Sequence, residues 1–205
     1  MSNVRPQVVA SAQLEVFRRL HASLLKPRGF RKVSAHSERA VGHVHQAVAC
    51  FSSRFNTSER ATFTLEFRVS HEAFFHLYYP GKQFPGLGEK SFMPLVTWRP
   101  TEPHTNAERW WVIESTHDAE DVEASAIQYL EAEGLQILER TQTVEGIVEF
   151  CKSMLEFRRY QPHSWALYFL GRNAEARAVI EAAVQNAPHE NARKVAHAWL
   201  VRLGA

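Results

Sequence analysis

FTLEFRV, residues 63–69, decides how this chain is read. Phe63, Leu65, Phe67 and Val69 alternate with Thr64, Glu66 and Arg68. A side-chain period of two marks a strand with one buried and one polar face, as antiparallel sheets provide. Upstream, VGHVHQAVACFS (41–52) is rich in small and β-branched residues, and NTSER (56–60) supplies the turn between the two runs. Together they predict a hairpin.

Before the hairpin, Ala10, Leu14, Phe17, Leu20 and Leu24 recur every three or four residues and predict an amphipathic helix over 7–25. Pro27 and Gly29 end it, because proline lacks a backbone donor and glycine accepts a positive φ. After the hairpin, HEAFFHLYY (71–79) suits either a strand or a short helix. Proline and glycine punctuate 80–103, which predicts a long loop with one short strand around Leu95–Arg99. RWWVIES (109–115) reads as another strand, with Trp111 and Ile113 on one face and Trp110 and Val112 on the other.

From Thr116 the pattern turns helical. Asp118, Glu120 and Asp121 occupy a first turn, where the helix dipole favours acids. Val122, Ala126, Tyr129 and Leu130 form the inward face, and Gly134 is the expected stop. Further helices are expected over 143–158, with Ile147, Val148, Cys151, Met154 and Leu155 inward, and over 163–170, 174–186 and 189–203. The order predicts an α+β fold: an N-terminal helix, an antiparallel sheet of about four strands, then a C-terminal helical segment. The expected division is an α+β domain at 1–158 and a helical tail at 159–205.

The 205 residues, 45% hydrophobic and 22% charged, exclude disordered and fibrous classes. The two cysteines, Cys50 and Cys151, exclude a disulfide framework and a cysteine-rich zinc site. No run approaches the roughly 18 apolar residues of a membrane helix, so a cytoplasmic chain with no membrane partner is expected. The net charge of +2 is unevenly spread. Residues 1–60 hold ten Lys/Arg against three Asp/Glu, and residues 116–160 hold four against ten. The basic residues are diluted along a helix and two turns, so nucleic acid is not the expected partner.

Motifs for chemistry are sparse. GxSxG, HExxH and a phosphate-binding loop are all absent, and Gly86–Ser91 breaks the spacing such a loop requires. His43 and His45 form an H-x-H pair that, on one strand face, supplies two metal ligands, with His36, His71 or His76 as the third. The plainer reading is a pair of exposed strand histidines. No catalytic residue, metal or cofactor is assigned. Phe74, Phe75, Tyr78, Tyr79, Phe84, Phe92 and Trp98 crowd one stretch just before Arg99, and aromatics beside arginine are typical interface anchors.

LLKPRGFRK, ATFTLEFRV, RWW and YLEAEGLQILER occur in an order that resembles the bacterial family known as domain of unknown function 4304, over about residues 8–156. The most specific pieces are Gly29-Phe30, Phe63-Thr64-Leu65, Trp110-Trp111, and Gly134-Leu135 with Leu138-Glu139-Arg140. The chain departs from that pattern at Phe51, where glutamine is usual, and at Glu66, where asparagine is usual. Some members lie near toxin genes, so the resemblance implies immunity-type inhibition of a toxin. Residues 166–188 resemble part of one tetratricopeptide repeat, with Gly171, Ala176, Ala183 and Pro188 where that repeat places small residues and its last proline.

The leading expectation is a non-enzymatic protein-binding module, an immunity or inhibitor protein acting on a toxin. Tyr78, Tyr79, Phe84, Trp98 and Arg99 are the expected anchors; Glu120, Asp121 and Glu123 are the expected steering charges. A homodimer through the C-terminal helices is compatible with it. The alternatives are a metal-dependent enzyme using His43 and His45, and nucleic-acid binding through the basic N-terminal region.

Overall fold

A computed structural model describes residues 7–84, 94–102, 107–153 and 156–204. The hairpin forms as the alternation dictates, with an extra turn inside its first run. Strand β2 (His36–Val41) reverses through Gly42 and His43 into β3 (Val44–Ser52). Gly42 has φ +58°, as a two-residue type II′ turn requires of its first central position. Strand β1 (Arg31–Val33) precedes β2, and β4 (Ala61–His71) follows β3 in a register from Val44↔His71 to Ser52↔Phe63. The far edge of β4 is shared: β5 (Val96–Trp98) pairs with 67–69 and β6 (Trp111–Ile113) with 61–63. Among the described residues the antiparallel sheet thus has six strands, where about four were expected.

One face of the sheet is apolar. Val48, Phe63, Leu65, Phe67, Val69, Trp111 and Ile113 are buried there beside α1 (Gln7–Leu20) and α3 (Thr116–Tyr129). Helix α1 is rotated from the expected setting. Leu14 is 45% exposed, whereas Gln13, Val16, Phe17 and Leu20 are buried. Gln13 accounts for the rotation: its Nε2 donates to Ser52 Oγ at 2.7 Å, and its Oε1 accepts from Asn56 Nδ2 at 3.1 Å. A buried amide so bound fixes the helix face at the position that leucine spacing alone gives to Leu14. The helix ends in a π turn (His21–Leu25), where His21 Nδ1 lies 2.9 Å from Ser37 Oγ, and Gly29 takes φ +81° as expected.

Ser115 caps α3, accepting from the Asp118 N–H at 3.2 Å, and Trp111 Nε1 donates to Ser125 Oγ at 3.1 Å. Val122, Ala126, Tyr129 and Leu130 are buried, as their spacing predicts. Gly134 is not a stop. It closes a π turn (Leu130–Gly134) that runs on into α4 (Leu135–Arg140). A Cβ there would lie 3.0 Å from the Phe67 ring, so glycine serves close approach, not termination.

The chain divides into two compact units, 1–71 with 84–136, and 72–83 with 137–205. In the second, residues 72–78 settle as helix α2 (Glu72–Tyr78). Helices α5 (Val144–Ser153), α6 (Glu156–Phe169), α7 (Asn173–Gln185) and α8 (Glu190–Leu203) pack mainly each on the next. Phe74 meets Trp165 edge-on at 5.5 Å, Tyr78 stacks on Trp199 at 5.6 Å, and Trp199 Nε1 donates to Ser164 Oγ at 2.8 Å. Ile147, Val148 and Cys151 point inward as expected; Met154, Leu155, Phe92 and Gly86–Ser91 lie outside the described residues. Among the described residues, no helix is long and apolar enough to cross a membrane.

Candidate interaction site

The sheet's other face carries the residues that alternate with the core: Ala47, Ala49 and Phe51 on β3, and Thr64, Glu66 and Arg68 on β4. Glu66 is the centre of a charged cluster, its side chain only 7% exposed. Arg68 Nε donates to Glu66 Oε1 at 2.7 Å. Arg99, just past β5, donates Nε and Nη2 to Glu66 Oε2 at 3.0 and 2.7 Å, and Nη1 to Glu108 at 3.1 Å. Burial alone raises the Glu66 pKa, but hydrogen bonds from Arg99 and then Arg68 outweigh it and leave the carboxyl below its ordinary value. Two guanidiniums on one carboxylate make a charge-assisted, geometrically fixed unit.

Arg99 also faces an aromatic surface. Its guanidinium lies over the Phe51 ring, and Phe51 meets Trp110 edge-on at 6.2 Å. Phe51 is 39% exposed and Trp110 half-buried, so both rings present surface outward. A second buried carboxylate lies on the same face: Glu38 accepts from Arg31 Nε at 2.9 Å and lies 3.3 Å from His36 Nε2.

The residues expected at an interface are spread over both units. Tyr78 and Tyr79 belong to the helical unit; Tyr78 is half-buried against Trp199 with the Arg202 guanidinium 4.6 Å from its ring. Phe84 stacks on His45 at 4.4 Å, and Trp98 stacks on Phe67 at 4.9 Å on the core face. Arg99 alone of the set belongs to the Glu66 cluster. On α3, Glu123 pairs with Arg19 at 3.0 Å, while Glu120 and Asp121 are exposed.

His43 and His45 do not share a strand face, because His43 sits in the turn that divides the run expected to be one strand. The His43 ring lies 6.2 Å from that of His71. Among the described residues, no group of three or more His, Cys, Asp or Glu converges to hold a metal. Cys50 and Cys151 are buried, and burial pushes the Cys50 thiol up to about 12.

Sequence reasoning passed over Phe51, Glu66, Glu108 and Trp110 as interface residues. Phe51 and Glu66 lie far apart in sequence and are joined by one side chain, that of Arg99. Set against family models, curated proteins and solved structures, the chain matches none.

Proposed function

We propose that this protein is a non-enzymatic protein-binding module whose contact surface is Arg99, Phe51 and Trp110. The observation that carries the reading is the fixing of Arg99, gripped by buried Glu66, by Glu108 and by the Phe51 ring. Arginine and large aromatics dominate binding hot spots, and a side chain already ordered loses little entropy on contact. The resemblance to domain of unknown function 4304 supplies the partner class: a toxin, inhibited in the cytoplasm by an immunity protein. Exposed Glu120 and Asp121 on α3 steer a basic surface of that toxin. Pairing of two copies through the C-terminal helices is compatible with this role.

The test is a pull-down from host lysate with the wild-type protein and the Phe51→Ala/Trp110→Ala variant side by side. A stoichiometric partner held by the wild type and lost by the variant, with both melting alike, is the expected result. Equal retention by both removes the surface from the proposal.

A further inference from the structure

The π turn (His21–Leu25), a 3-10 turn (Lys26–Arg28) and Gly29 carry the chain from α1 into β1. This path sets the basic end of the helix beside basic residues of the sheet edge. Arg39 on β2 donates Nη1 to the Arg28 carbonyl at 2.9 Å. Lys32 on β1 is in register with Ser37, which shares a face of β2 with Arg39. Residues that the sequence spreads over a helix end and two strands thus come together, with Lys26, Arg28 and Lys32 exposed and Arg39 half-buried.

That surface keeps its charge. Arg28 Nη1 donates to the Leu24 carbonyl at 2.8 Å and Lys32 Nζ to the Ser34 carbonyl at 2.7 Å, and neither acceptor is an acid. Among the described residues no carboxylate pairs with Lys26, Arg28 or Lys32, whereas neighbouring Arg31 is taken by buried Glu38. Buried His21 registers the field: after burial itself, Lys32 and Lys26 are what lower its pKa. The apolar side chains here are turned inward. Leu24, Leu25 and Phe30 are buried, and the Arg39 guanidinium covers the Phe30 ring at 4.5 Å. The surface therefore offers cations without an aromatic platform for unstacked bases and without an apolar anchor for a membrane or a protein.

We propose that Lys26, Arg28, Lys32 and Arg39 form a binding surface for the phosphate backbone of duplex nucleic acid. Closely and regularly spaced phosphates engage several cations at once and require no base contact. The proposal does not rest on the protein-binding reading.

The test follows the anisotropy of a fluorescein-labelled DNA duplex of mixed sequence on titration with the full chain. Four phosphate contacts predict a log–log salt slope of about −3.5, hence about a hundredfold loss of affinity between about 50 and 200 mM KCl. Lys26→Gln/Lys32→Gln is expected to lower the steepness by about two with the melting curve unchanged. Arg28→Gln, expected to lower it by about one, serves if the double variant does not fold. No binding at the lowest salt, affinity independent of salt, or an unchanged slope in a folded variant overturns the proposal. Displacement of the duplex by a deca-glutamate peptide at equal charge also overturns it, and assigns the surface to an acidic protein.

Discussion

The Arg99 guanidinium lies 4.0 Å from the centroid of the Phe51 ring while its donors hold Glu66 and Glu108. Removing it leaves a buried carboxylate held by Arg68. Arg99→Ala is expected to cost about 3 kcal/mol in urea unfolding, the scale for breaking one side of a buried ion pair. Arg99→Lys keeps the charge but loses the fork, and should fall between the two.

Charge reversal of Glu120 and Asp121 tests steering. Against the captured partner, the double Lys variant should associate several-fold more slowly at low salt, with dissociation unchanged. An unaltered on-rate removes α3 from the encounter.

Two glycines should resist alanine unequally. At Gly134 an added Cβ meets the Phe67 ring at 3.0 Å, and Phe67 is pinned by Trp98 stacked on it. Gly134→Ala should cost about 1–2 kcal/mol. At Gly146 the same atom would fall 1.7 Å from the Arg140 carbonyl oxygen, where only backbone movement relieves it. Gly146→Ala should cost about 3 kcal/mol or more. Thermal melts that rank them in the opposite order would contradict the packing described.

Acid should destabilise the fold in two stages. Burial, then Lys32 and Lys26, lower the His21 pKa from 6.5, so below pH 6.5 the unfolded chain takes up a proton that the folded chain refuses. Stability therefore falls as pH drops from 6.5. The Glu66 contribution is complete above its ordinary 4.5 and fades as pH falls through its lower folded value. In urea midpoints from pH 8 to 3, His21→Gln should flatten the first decline and leave the second.

Both thiols should be silent in the native state. Cys50 and Cys151 are buried, and the Cys50 thiol is pushed up to about 12. A disulfide reagent at pH 8 is expected to detect neither until denaturant is added, and then both.

Period and punctuation made much of this fold legible. The 63–69 alternation places Phe63, Leu65, Phe67 and Val69 in the core as read, and Gly29 ends the first helix as read. The errors share a cause: the deciding contact is distant in sequence. Leu14 is displaced by an amide bonded to Ser52, and Gly134 answers to Phe67. Gly42 was a local signal, but the small-residue run around it hid the turn. The Glu66 cluster needed Arg99, brought alongside by the pairing of β5 with β4.

The divided edge of β4 sets an order on synthesis. This strand, eleven residues long, is completed by partners that emerge much later, the last ending at Ile113. Until then the nascent chain carries a long strand with one apolar face and one backbone edge bare, the form most open to pairing with a neighbouring chain. Closing that edge spans about fifty residues of intervening chain, so it is the slow, non-local step of the sheet. The interval between the making of residue 71 and that of residue 113 is therefore when this edge is open to pairing with another chain.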